Sequence, residues 1–233
     1  MSEIWKEKCI ISPSLISVCD MCNLEPSVRQ LEEAGIEMLH VDILDGHFSP
    51  SMPLGLDTVR QLRKKTEMFF DVHVMTTAHD FFISELLDIG VQSIVFHGEM
   101  EPHMDYRLNQ IRKAGVKAGV AMKPATPLSS LDYVLEKCDG VLLMLINPGY
   151  AQERSEGQVP YASRKVRELH EMIVSRGLDT KVILDGRISK ENMIEFAPDG
   201  IADIFVAGST CLDKKDLKNS ALALREFRNS ILK

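Results

Sequence analysis

The feature that most restricts this chain is an alternation that runs unbroken from end to end. Short aliphatic or β-branched runs are each followed by a longer segment whose apolar residues recur at helical spacing. The short runs fall at Cys9–Ile11, Met38–Ile43, Met68–Val74, Ser93–Phe96, Lys117–Ala121, Gly140–Ile146, Lys181–Leu184 and Ile204–Ala207. Helical spacing covers Leu24–Ala34, Leu56–Lys64, His79–Ile89, Tyr106–Ala114, Leu128–Leu135, Ser163–Arg176, Lys190–Phe196 and Asp216–Ile231. Many helices end at a glycine, among them Gly35, Gly90, Gly115 and Gly177, as helix C-caps favour. Consecutive parallel strands need a crossover, so strand–helix repetition builds a parallel sheet with helices outside it. Eight such units in 233 residues predict an α/β chain closed into one (β/α)8 TIM barrel, with residues 1–233 forming a single domain. An open dinucleotide-binding sheet would need a G-x-G-x-x-G turn, and the sequence has none.

Composition narrows the function class. With 27 Lys+Arg against 34 Asp+Glu the net charge is −7, which disfavours electrostatic attraction to nucleic acid or to anionic lipid. No run approaches the ~18–20 apolar residues of a membrane span, and Glu3, Lys6, Glu7 and Lys8 occupy the place of a signal core, so a cytoplasmic location is expected. The five cysteines are odd in number and scattered, as suits reduced thiols. Cys19 and Cys22 form a C-x-x-C without the second pair that a zinc site needs.

In a barrel, chemistry gathers at the C-terminal ends of the strands and in the loops beyond them. The second strand carries His40 and Asp42 two residues apart, hence on one face, and the third carries Asp71, His73 and Met75 in the same way. The seventh run closes on Asp185. His40, Asp42, His73 and Asp185 make a mixed nitrogen and oxygen set suited to one divalent metal ion such as zinc, manganese, iron or cobalt. Taken singly, each is equally a strand-end polar residue satisfied by local hydrogen bonds.

Six stretches then resemble the ribulose-phosphate 3-epimerase family in type and order. They are Ser12-Pro13-Ser14; His40-Val-Asp42-Ile-Leu-Asp45-Gly46-His47-Phe48; Asp71-Val-His73-Val-Met75; Met144-Leu-Ile-Asn147-Pro148-Gly149-Tyr150; Asp185-Gly186; and Ala207-Gly208-Ser209. The resemblance implies metal-dependent inversion at C3 of a ketose phosphate, most simply D-ribulose 5-phosphate to D-xylulose 5-phosphate. Proton removal beside the carbonyl leaves an ene-diolate, so the reaction calls for a Lewis acid on the oxygens and a proton carrier on each face of the carbon. Carried over by position, Asp42 and Asp185 become the acid/base pair and metal ligands, with His40 and His73 completing the metal set. Ser14 would bond substrate oxygens, Met75 and Met144 would pack around a flattened intermediate, and Pro148 and Gly149 would belong to a loop covering the substrate. Gly186, Gly208 and Ser209 follow the seventh and eighth strands, where such barrels bind phosphate. The resemblance also implies a homo-oligomer; from net charge and the lack of an apolar span, no nucleic-acid or membrane partner is expected.

The departures cluster around the substrate. Arg187 stands where the family commonly continues Asp-Gly-Gly, so its guanidinium is a candidate phosphate ligand. Gly157-Gln158 sits apart from Pro148-Gly149-Tyr150 by an insertion of about five residues. Leu44 replaces a common methionine and Ser51 a common asparagine. These changes keep two other readings open: a D-allulose 6-phosphate 3-epimerase, and a phosphosugar-binding barrel without catalysis. His47, His97 and Glu99 lie near strand ends as partners that orient a ligand imidazole, whereas His79, His103 and His170 read as solvent-facing. Trp5 reads as a residue that packs against a neighbouring subunit.

Overall fold

The computed structural model describes residues 3–148 and 156–233. Its strands are β1 (Ile10–Pro13), β2 (Met38–Leu44), β3 (Phe69–Met75), β4 (Ser93–His97), β5 (Lys117–Met122), β6 (Gly140–Met144), β7 (Lys181–Asp185) and β8 (Ile204–Ala207). All neighbours pair in parallel, in the order β1-β8-β7-β6-β5-β4-β3-β2. A parallel bridge between Ser14 and His40 joins the two ends of that order and closes the (β/α)8 barrel. The helices are α1 (Leu15–Val18), α2 (Leu24–Glu33), α3 (Leu56–Arg63), α4 (His79–Ile89), α5 (Met104–Lys113), α6 (Ala162–Ser175), α7 (Lys190–Phe196) and α8 (Leu217–Ile231).

One expected helix is absent. Leu128–Leu135 forms 3-10 turns at Leu128–Leu131 and Leu135–Lys137 instead of an α-helix. The segment is rich in short polar side chains, and Ser130 Oγ donates back to the Pro127 carbonyl at 2.7 Å, a bond that competes with helical pairing. Leu131 and Leu135 are still fully buried, so the apolar spacing reported burial and not helix type.

Every residue of β2 and β3 is buried, because one face meets the barrel interior and the other the helices. Leu39, Val41 and Ile43 alternate outward into the layer that also holds Leu31 of α2, Leu86 of α4 and Leu169 of α6. Met38, Phe69, Val95, Ala121, Leu142, Ile183 and Ile204 point inward and fill the barrel. Gly119 and Gly140 pair across β5 and β6; a Cβ on Gly119 would lie 2.5 Å from the Gly140 oxygen and 2.6 Å from Val95 Cγ1, so this level has no room for a side chain. Trp5, from the 3-10 turn Glu3–Lys6, is 9% exposed and stacks on Phe69 at 5.7 Å. It therefore packs within its own chain as part of the barrel-interior cluster and does not await a neighbouring subunit, because an indole gains most from burial where a facing ring is already in place. The polar inward residues lie toward the C-terminal ends of the strands.

Candidate active site

Parallel register decides which side chains meet. On β2 and β3, His40 stands beside Asp71, Asp42 beside His73 and Leu44 beside Met75. Asp185 arrives from the end of β7, next to Met144 of β6. One ligand atom from each of His40, Asp42, His73 and Asp185 falls within 4.8 Å of the other three. His40 Nε2 lies 3.4 Å from Asp42 Oδ1 and 4.0 Å from Asp185 Oδ2; His73 Nδ1 lies 3.6 and 3.7 Å from the same two oxygens. The four expected metal ligands thus form one cluster.

Its chemistry fits a divalent cation. His40 Nδ1 is 3.0 Å from Asp71 Oδ2, both side chains being fully buried, so Nδ1 donates to Asp71 and Nε2 is the nitrogen that faces the cluster. His40 Nε2 and His73 Nδ1 are buried and make no hydrogen bond. Two orphaned imidazole nitrogens beside two carboxylates are costly to leave alone, and a cation between them would satisfy both. Burial opposes charge on the imidazoles, yet carboxylates outweigh it: Asp42 and Asp71 raise the pKa of His40 well above its ordinary value, and Asp185 and Asp42 raise that of His73. Burial likewise opposes ionisation of Asp42, but His40 and His73 overcome it and hold the carboxyl well below the usual carboxylate range.

Above the cluster opens a cleft of about 270 Å³ lined by Ser14, Asp42, Met75, Met144, Asp185, Gly186, Arg187, Gly208 and Ser209, together with Leu44 and Ser51. All the expected substrate residues except Pro148 and Gly149 meet there. Pro148 is buried just beyond β6 and does not line the cleft; Gly149 and Tyr150 lie outside the described residues. Ser14 Oγ donates to Asp42 Oδ2 at 2.8 Å, so its hydroxyl proton is directed at a carboxylate of the cluster. Gly186 has φ +106°, and a Cβ there would stand 2.9 Å from the Ile146 nitrogen, which restricts the position to glycine. Arg187 follows in the left-handed region at φ 53°.

Three contacts do not follow from the sequence pattern. Asp71, read only as sharing a face with His73, is the direct partner of His40; the signal was the two-residue spacing of D-x-H, which puts Asp71 level with His40 once β2 and β3 pair. Gln158 Nε2 reaches the carbonyls of Gly186 at 3.0 Å and Arg187 at 3.1 Å, tying the chain beyond β6 to the turn after β7. Asp45 accepts from the Thr77 N–H at 2.6 Å and so joins the turns after β2 and β3. Among the outlying histidines, His97 is fully buried with Nε2 3.0 Å from His73 Nε2, whereas His47 is exposed. His79, expected to face solvent, is buried against Phe96 and Glu101 because α4 turns its first residue inward. Cys19 is buried with its thiol pushed up to about 12 by burial, and Cys22 is exposed, so the pair forms no joint site.

Comparison with known proteins agrees with the geometry. The model of the ribulose-phosphate 3 epimerase family matches residues 10–212. The chain belongs to that family. It is 35% identical over 219 residues to the ribulose-phosphate 3-epimerase of Methanocaldococcus jannaschii, covering 93% of this chain and 89% of the relative. It is also 35% identical over 225 residues to that of Escherichia coli K12, covering 96% of each. The 3-keto-L-gulonate-6-phosphate decarboxylase structure from Vibrio cholerae superposes with a TM-score of 0.68 at 11% identity, covering 97% of this chain and 99% of the other, a likeness of fold alone. Membership of this family gives context to the orphaned nitrogens, and Arg187 and Ser51 line the same cleft.

Proposed function

We propose that this enzyme interconverts D-ribulose 5-phosphate and D-xylulose 5-phosphate by proton transfer at C3, with one of Asp42 and Asp185 removing a proton from one face and the other supplying a proton to the opposite face. The observation that carries this reading is the placement of two carboxylates, from β2 and β7, on one cleft with the free nitrogens of His40 and His73 beside them. Inversion requires a proton to leave one face of the carbon and another to arrive on the opposite face. One aspartate takes the C3 proton as carboxylate; the other, carrying a proton, delivers it to the far face, so a turnover exchanges their protonation states. His40, Asp42, His73 and Asp185 would hold a divalent ion such as zinc, manganese, iron or cobalt, which when bound would supply a Lewis acid for the ketose oxygens. Ser14 holds Asp42 by its hydrogen bond. Leu44, Met75 and Met144 give the planar intermediate an apolar, polarizable wall. Gly186, Gly208 and Ser209 offer the phosphate a site between the turns after β7 and β8, with Arg187 contributing a guanidinium.

Proton NMR in deuterated water tests the reading, with metal supplied and ribulose 5-phosphate and allulose 6-phosphate followed in parallel. Exchange at C3 with epimer formation, faster for the pentulose, is expected. Faster hexulose turnover would transfer the reaction to the other sugar, and no exchange with either would leave a binding barrel. Asp185→Asn should fold and lose about 10²–10⁴ in turnover; near-normal turnover would sink the mechanism. Arg187→Ala should raise the KM for the phosphorylated sugar with kcat largely kept, and an unchanged KM would remove Arg187 from the phosphate site.

A further inference from the structure

We propose that Glu99, acting through His97, fixes the proton of His73 on its outer nitrogen and so leaves the lone pair on the nitrogen that faces the cluster, making both of them positioning residues for the metal set. This rests on reading His40, Asp42, His73 and Asp185 as a metal site. His40 is oriented directly, by Asp71. His73 has no such carboxylate: its register partner on β4 is Val95. Its outer nitrogen Nε2 instead meets His97 Nε2 at 3.0 Å, and His97 Nδ1 meets Glu99 Oε2 at 2.9 Å.

The proton count along this line has one solution when His73 is a ligand. A carboxylate only accepts, so His97 Nδ1 donates to Glu99. Neutral His97 then has a bare Nε2, which accepts from His73 Nε2–H, and the lone pair of His73 is left on Nδ1, beside Asp42 and Asp185. Were the His97 proton on Nε2, two N–H groups would face each other across 3.0 Å.

Glu99 is itself held in place. Its other oxygen, Oε1, accepts from the Lys123 N–H at 2.7 Å and from the Thr126 hydroxyl. The loop carrying those donors hangs on the buried ammonium of Lys165 in α6, which donates to the carbonyls of Lys123, Pro124 and Thr126 at 2.8, 2.9 and 2.7 Å. Phe48 packs on the His97 ring at 4.5 Å and restricts its tilt. Partners of this kind tune metal affinity through ring orientation and tautomer.

The test combines two readouts. Imidazole 15N correlation spectra of the wild-type protein at pH 8, metal-free and zinc-loaded, report which nitrogen of His97 carries the proton. Zinc affinity by chelator competition is measured for wild type, Glu99→Gln and Asp185→Asn. The expected result is the Nδ1–H tautomer for His97, loss of that single tautomer in Glu99→Gln, and zinc binding weakened about ten- to a hundredfold in that variant. A wild-type His97 protonated on Nε2, or Glu99→Gln binding zinc as tightly as wild type, would overturn the proposal. If Asp185→Asn weakens zinc and Glu99→Gln does not, the relay fails and the metal site stands. If wild type binds no zinc, the metal reading fails and the His97 tautomer still decides the relay; the wild-type spectra also decide it should Glu99→Gln not fold.

Discussion

Replacing Gly186 by alanine tests how tightly the turn after β7 is bound to the fold. Gly186 sits at φ +106°, where the new Cβ would lie 2.8 Å from Ile146 Cγ1 and 2.9 Å from the Ile146 nitrogen. The side chain of Ile146 can shift, but its backbone nitrogen cannot without disturbing the end of β6. An L-residue forced into left-handed backbone costs about 1–2 kcal/mol, and overpacking of a filled site adds about 1–3 kcal/mol. Together these give a loss of about 2–5 kcal/mol, and a loss of 3 would lower Tm by about 6–12 °C in a chain of this size. The strain should also reach the cleft, because the Gly186 carbonyl receives Gln158 and the residue lines the proposed phosphate site. Asp185 remains in register with Met144, so KM for the sugar phosphate should rise more than kcat falls. Thermal unfolding and steady-state kinetics measure both. A variant with wild-type Tm and KM would refute the claim that close approach to Ile146 restricts this position to glycine.

Asp71→Asn should weaken zinc roughly tenfold where the imidazoles are neutral, by removing the charged acceptor that orients His40. In the metal-free protein His40 and His73 hold protons above the ordinary histidine value, so protons and metal compete and affinity climbs as pH rises. Loss of Asp71 frees the His40 proton more readily, and that climb should move to lower pH; a pH profile of zinc affinity identical to wild type would refute the assignment. Asp45 has a pKa lowered from 3.8 to about 2, since N–H bonds from Phe48, Thr77 and His47 outweigh its burial. Its stabilising effect is therefore present above pH 3.8 and fades as pH falls through about 2. Asp45→Asn should unfold at lower urea than wild type at pH 7 and lose that difference near pH 2; a gap of equal size at both would count against this account.

Much of the architecture was legible because strand and helix periods are local properties. Alternation within β2 and β3 put His40 with Asp42, and Asp71 with His73, on shared faces before any contact was known. The interpretation of Leu128–Leu135 as a helix failed where apolar spacing was read as helix type, although its leucines reach the core as expected. The solvent-facing assignment of His79 failed because position on a helix does not say which way the helix turns. Pairing lay beyond local pattern: strand-end position marks His97 and Glu99 as partners of a ligand imidazole but does not say that the imidazole is that of His73, or that His47 stays outside.

Sequence by itself determined the repeating unit, the parallel barrel, and the residue types able to hold a metal and carry protons, since these follow from period, order and side-chain chemistry. Tertiary structure decided which atoms those residues present. The register of β2 on β3 gave His40 to Asp71, the approach of β4 gave His73 to His97 and Glu99, and Gln158 tied the turn after β7. The physical reason is that a proton's place on an imidazole depends on a partner distant in the chain, and only closure of the barrel brings that partner within hydrogen-bond reach.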